Sequence, residues 1–234
     1  MVILTSLQNN FTTSMLLNLT NKSMALYNLS EIESWERFYR TNFINSLTGF
    51  KSVNLIGTVN KHGQTNLGIF SSVMHVGSNP PLIGYINRPR KAATQTLANI
   101  EAVGMYTINH IQSSFVKKAH QTSASYPEEV SEFEQVGLTP GFIENIKAPF
   151  VKESSIKYAL SLADIIPIKL NDTFLVIGKI ICVQIESDVL LNDGFLELDK
   201  AASISSNGND AYYTTSLIGR YQYAKPGIAP EEIS

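Results

Sequence analysis

Residues 173–186 constrain the fold more than any other stretch of this chain. Leu175, Ile177, Ile181, Val183 and Ile185 fall on one face of an extended strand, and Val176, Ile180 and Cys182 fall on the other. A half-exposed strand alternates apolar with polar residues, so a strand that is apolar on both sides has to be covered on both. In a barrel that means a core inside and a helix or a partner subunit outside. Cys182 is then a packing residue rather than a nucleophile.

The segments around it fit an antiparallel barrel of about six strands with helices inserted between them. Residues 53–59 and 65–76 read as strands joined by the turn Lys61-His-Gly63. Asn79-Pro-Pro81 is a corner, because neither proline can donate to a ladder, and residues 82–86 return as a strand. Residues 103–109, 155–162 and 165–170 are extended as well. Regular strand–helix alternation, which a doubly wound sheet needs, is missing.

Helical spacing appears at Ile32, Trp35, Tyr39, Phe43 and Leu47, behind the capping pattern Ser30-Glu-Ile-Glu33 and ahead of Gly49. That stripe reads as core packing. A shorter helix carries Ala93, Leu97 and Ile100 on one face. Residues 112–145 read as helical and more polar, with a helix start at Ser125-Tyr-Pro-Glu128 and an inner face of Val130, Phe133 and Val136. This connection is a candidate lid.

The totals narrow the function classes. The 234 residues suffice for one large domain, and 44% hydrophobic with 16% charged residues is an ordinary globular composition. A net charge of −2 gives no basic footprint for nucleic acid. One cysteine, Cys182, excludes an intramolecular disulfide framework and argues against iron–sulfur and cysteine-zinc sites. It fits a reducing cytoplasm, and no apolar run is long enough to span a bilayer. Residues 1–28, rich in Asn, Thr, Ser and Leu, are expected to form a loose extension ahead of one domain over 29–234. Met24 is a candidate start of the native chain, and no basic region precedes Met15-Leu-Leu as a secretory signal would require.

The chemistry concentrates between Gln64 and Asn99. A strand bearing Ser71 and Ser72 is followed by the proline corner, a second strand, and the cations Arg88, Arg90 and Lys91 at the mouth of a helix. Cations before a helix N-terminus suit a phosphate, with Thr94 and Thr96 as hydroxyl donors. Backbone and hydroxyl groups of Phe70-Ser-Ser-Val73 suit the polar edge of a flavin ring. On a strand Ser71 and Ser72 face opposite ways, so only one of them can reach a given ligand by its side chain. Asn109, His110, His120 and Gln121 are the polar candidates for the reducible end, where charge develops on reduction. The four histidines lack metal-ligand spacing, and neither a Gly-x-Gly-x-x-Gly, a Walker sequence nor a Gly-x-Ser-x-Gly is present.

These pieces resemble the flavin reductase-like family. The matching motifs are Asn66-Leu-Gly-Ile-Phe-Ser-Ser72, Asn79-Pro-Pro-Leu82, Thr96-Leu-Ala-Asn-Ile100, Tyr106-Thr-Ile-Asn109, residues 115–123, Glu132-Phe133, Gly137-Leu138, residues 148–154 and Val176-Ile-Gly-Lys179, in the family's order over about residues 30–225. The resemblance implies a mainly β fold with inserted helices, an antiparallel Greek-key split β-barrel that binds FMN non-covalently. It implies a homodimer and electron transfer from NADH or NADPH to flavin, onward to a flavin-dependent monooxygenase or another acceptor. It places Asn66, Ser71, Ser72 and Val73 with the ring strand. Arg88, Lys91, Thr96 and Asn99 take the phosphate and ribityl region, and Asn109, His120, Gln121 and Ser123 the loop and helix that close over the flavin. Tyr213 and Arg220 are further candidates for reaching a partner's site. Other readings left open are an FMN-bound electron carrier with little NAD(P)H activity, and a barrel for heme or a deazaflavin. No protein nucleophile is required, so no catalytic residue is assigned.

Overall fold

The computed structural model describes residues 23–92 and 94–233, with the side chain of Thr94 left undescribed. Most of the expected extension therefore lies outside the described residues, as does Ala93. The chain divides into two compact units, one ending at Phe43 and one running from Ile44.

In the first unit, α1 (Leu29–Ser34) is capped two residues earlier than the Ser30 pattern suggested. Asn28 accepts from Glu31 N–H, and the Glu31 carboxylate accepts from Asn28 N–H at 2.9 Å. Asn offers the same short acceptor as Ser, and here it wins. The expected single helix is also broken. Trp35 is extended (ψ 151), and the Glu36 carboxylate then accepts from Phe38 and Tyr39 N–H to start α2 (Arg37–Leu47). The aromatic stripe consequently does not enter a core. Tyr39 is 59% and Leu47 63% exposed, while Trp35 packs edge-on against Tyr27, Tyr39 and Phe43. Gly49 ends the segment with φ 71, as a helix stop should.

The second unit contains a seven-stranded antiparallel sheet. Its strands are β2 (Asn54–Val59), β3 (Thr65–Phe70), β4 (Met74–Ser78), β5 (Pro81–Asn87), β6 (Met105–His110), β9 (Ile156–Ile168) and β10 (Thr173–Ile185), in the order β3-β2-β6-β9-β10-β5-β4. Residues 65–76, read as one strand, are two. The edge strands β3 and β4 are consecutive in the chain, joined only by residues 71–73. Laid flat, six inter-strand gaps of about 4.8 Å would separate those edges by roughly 29 Å, while the link reaches at most about 14 Å. The sheet must therefore curl, and it forms the expected split barrel. β9 similarly fuses the two strands expected at 155–162 and 165–170, keeping its pairing with β10 through register shifts at Ile177/Gly178 and Ile180/Cys182.

Two apolar clusters flank β2, which is buried along its whole length. Inside the barrel, Ile56, Tyr85, Tyr106, Ile108, Leu160 and Val176 meet Leu97 and Ile100 from α3 (Thr94–Val103). On the other side Leu55 and Leu67 pack with Phe115, Phe133, Val136 and Val151. These come from α4 (Val116–Gln121) with the turn before it, α5 (Glu132–Val136), and β8 (Ile146–Val151), which pairs with β7 (Pro140–Ile143). The 112–145 connection is thus less helical than its composition suggested. Ser125–Glu128 starts no helix, and α5 begins at Glu132 after Ser131. A third, small sheet orders as β1 (Lys51–Ser52), β11 (Ile204–Asn207) and β12 (Ala211–Thr214).

The inner face of β10 is covered by this chain. Its outer face is not, since Ile181 is 42% and Val183 53% exposed, and Cys182 between them is half-buried. No helix among the described residues is long and apolar enough to cross a membrane.

Candidate functional site

A cavity of about 680 Å³ opens where β3 ends and the residues after α4 fold back. That is within the range of small-molecule and cofactor sites. It gathers several of the expected residues. Asn66, Ser71, Ser72, Arg88, Thr96, His120 and Ser123 all line it. Val73, Lys91, Asn99, Asn109 and Gln121 do not.

The two serines sit in the bend between β3 and β4 rather than on a strand, so period-two alternation does not apply to them. Ser72 Oγ donates to Ile86 C=O and accepts from Ile86 N–H, each at 3.1 Å, which pins the bend to β5. Ser71 has no hydrogen-bond partner among the described residues, and its hydroxyl remains for a ligand. Behind them Ser52 Oγ donates to Val73 C=O at 2.9 Å.

The cation cluster separates by role. Arg90 forms a forked ion pair with Glu101 and stacks 5.0 Å over Phe174. That pairing raises the Arg90 pKa and holds the Glu101 carboxyl below its ordinary value. Arg88 alone of the three lines the cavity, with no carboxylate in ion-pair range among the described residues. Lys91 is exposed outside the cavity.

Under the floor lies a buried polar network that sequence reading placed only in part. Asn66 Oδ1 accepts from Thr58 Oγ1 and Thr96 Oγ1, both at 3.1 Å, and Asn99 Nδ2 donates to Thr58 Oγ1. Asn66 Nδ2 donates to Glu132, and Leu67 N–H donates to the same carboxylate oxygen. Thr96 bonds Asn66 directly while itself lining the cavity, and Asn99 reaches Asn66 only by way of Thr58. Asn109 is committed elsewhere: its amide nitrogen donates to Leu55 C=O and Thr107 Oγ1, and its oxygen accepts from Val151 N–H.

The lining also uses residues that sequence reading missed. Tyr212 OH hydrogen-bonds His120 Nδ1 at 2.6 Å, and Gln121 Nε2 donates to the cavity-lining Tyr126 OH at 3.2 Å. Lys51, Ser206 and Tyr212 carry no motif, and only pairing across the small sheet brings them here. His110 lies apart, with Nδ1 on Ser203 Oγ at 3.0 Å, and burial lowers its pKa to about 4. No group of three or more potential metal ligands exists among the described residues.

Comparison with known proteins agrees with this architecture. The profile of the flavin reductase like domain matches residues 48–198. A split-barrel protein from Shewanella frigidimarina NCIMB 400, assigned to the flavin reductases, is 44% identical with a TM-score of 0.83, covering 86% of this chain and 100% of its own. Nitrilotriacetate monooxygenase component B from Bacillus cereus shares the fold at 22% identity and TM-score 0.74, over 88% of this chain and 100% of its own. Flavoredoxin of Desulfovibrio vulgaris (Miyazaki F) does so at 23% identity and TM-score 0.65, over 90% and 99%.

Proposed function

The chain belongs to the flavin reductase-like family, and from that premise we propose that it binds FMN in the β3–β4 cavity and reduces it with NADH or NADPH. The observation that carries the reading is the pairing of Arg88, a cation with no carboxylate of its own, with the unpartnered Ser71 hydroxyl on one cavity wall. An anionic phosphate and a polar ring edge meet those two demands at the two ends of a single ligand. The cavity volume and the backbone of the Ser71–Ser72 bend fit that group as well.

When bound, the flavin supplies the hydride-accepting centre, so the protein needs no nucleophile. Arg88 neutralises phosphate charge, through charge-assisted bonds worth roughly 1.5–3 kcal/mol each. Ser72 fixes the bend against β5, and Ser71 lines the space beside it. Asn66, held by Glu132 and Thr96, keeps the β3 wall in place. His120 and Ser123 add polar groups from α4 and the residues after it to the same cavity. A second copy of the chain, covering the exposed outer face of β10, completes the proposed homodimer. The electron acceptor is a flavin-dependent monooxygenase, the class to which nitrilotriacetate monooxygenase component B points by name, or another flavin-linked acceptor.

Purified protein is expected to be yellow, to release FMN on denaturation, and to bleach anaerobically with NADH or NADPH. A colourless protein that FMN cannot reconstitute refutes the reading. A yellow protein that neither nicotinamide bleaches is instead an electron carrier, the role that the name flavoredoxin suggests for the Desulfovibrio relative.

A further inference from the structure

The small sheet, tied to the β3–β4 bend by Ser52, presents a row of three polar side chains to the same cavity. Lys51 is in register with Ser206, and Ser206 with Tyr212. Residues directly opposite one another on antiparallel strands share a face, and all three line the cavity. The row reads cation, hydroxyl, phenol.

Lys51 and Ser206 have capacity left for a ligand. Lys51 Nζ donates to Asn45 C=O at 3.1 Å and Gly208 C=O at 3.3 Å, which leaves the third ammonium N–H. No carboxylate lies within ion-pair range of it among the described residues. Ser206 is 3% exposed, and its Oγ has no hydrogen-bond partner. Buried hydroxyls are nearly always partnered, so this orphan points to a group that the chain does not supply. Tyr212 OH is tied to His120 and fixes the end of the row. The acids lining the cavity come from another segment, Glu128 and Glu132, and Glu132 is engaged by Asn66 and Leu67.

We propose that Lys51 and Ser206, buttressed by Tyr212, form an anion subsite for the second substrate. They hold either the diphosphate of a dinucleotide hydride donor or the carboxylate of an organic acceptor. The subsite rests on the flavin reading above, in which Arg88 and the Ser71–Ser72 bend hold the flavin and leave this row for a second ligand in the same cavity. It is a binding site, distinct from the cofactor's own contacts.

The test is calorimetric titration of FMN-loaded protein with two probes, ADP-ribose for the diphosphate and benzoate for the carboxylate. Wild type is expected to bind one of them. Lys51→Met should weaken that probe by about tenfold or more, the loss of one charge-assisted bond, and Lys51→Arg should restore it. Ser206→Ala, which removes no hydrogen bond within the chain, should weaken the same probe at an unchanged melting temperature, and it carries the test if Lys51→Met fails to fold. FMN affinity should stay unchanged in every variant. Binding of ADP-ribose identifies the diphosphate, and binding of benzoate the carboxylate. Wild type that binds FMN but neither probe overturns the subsite and leaves the flavin reading intact, as do variants that lose FMN rather than the probe. Wild type that cannot bind FMN overturns the flavin reading itself.

Discussion

Glu132 and Asn66 are joined by a buried hydrogen bond of 2.8 Å, and the same carboxylate oxygen accepts from Leu67 N–H at 2.9 Å. With one acceptor, α5 thus fixes both a side chain and the backbone of the cavity strand. Removing it in Glu132→Ala leaves Leu67 N–H without a partner and Asn66 Nδ2 with only the 3.3 Å contact to Gln95. The expected loss is about 3 kcal/mol, from two buried donors. Urea denaturation checks it, and Glu132→Gln, which keeps one acceptor, should lose less.

Arg88→Ala should weaken FMN binding by tenfold or more, from the roughly 1.5–3 kcal/mol of a charge-assisted bond, while slowing hydride transfer in the saturated complex much less. Arg90→Ala should leave FMN affinity alone, because Arg90 is already paired with Glu101. Fluorescence titration of FMN separates the two, and equal losses would contradict the division of roles.

His110 makes acid stability pH-dependent. Burial lowers its folded-state pKa to about 4, below the ordinary 6.5, so in that window the unfolded chain takes up a proton that the folded chain refuses. Stability is full above pH 6.5 and falls as the pH drops from 6.5 toward 4, by up to about 3 kcal/mol. His110→Gln should flatten this slope in urea melts at pH 7 and pH 5. An unchanged slope would assign the acid sensitivity to other groups.

Gly57 sits where a Cβ would lie 2.3 Å from Pro149 C=O and 2.6 Å from Thr107 Oγ1. Backbone cannot yield there, so Gly57→Ala should destabilise by about 3 kcal/mol. The turn residue Gly63 has nothing within 4 Å and serves as the uncrowded control, although its φ of 85 adds local strain. Thermal melts of the two variants measure the difference.

The outer face of β10 exposes Ile181 and Val183. Val183→Glu should convert the proposed dimer to a monomer in size-exclusion chromatography with little change in melting temperature. A wild-type monomer would remove the dimer from the proposal.

The apolar pattern of β10, the proline corner and the Leu97/Ile100 face were legible because burial repeats with the period of the element. The aromatic stripe of α1 and α2 was not, because spacing reports which residues share a face but not whether anything covers it. Asn109 shows the same limit for polar groups: its type and position suit a ligand, yet three protein partners consume it. Ser71 and Ser72 were found, though their geometry turned on a break in the strand that only the curling of the sheet demands. Lys51, Ser206 and Tyr212 escaped notice since nothing local marks the pairing of Lys51 with Ser206, 155 positions away, that brings them together.

That separation has a temporal consequence. The register that sets Lys51 beside Ser206 cannot form until a ribosome has released both ends of a very long loop, by which time nearly all the second unit has been synthesised. A nascent chain can pair its first strands but cannot finish the small sheet beside them. Completion of the proposed anion subsite is therefore a late event in biogenesis, and translation products truncated before Ile204 should emerge without it.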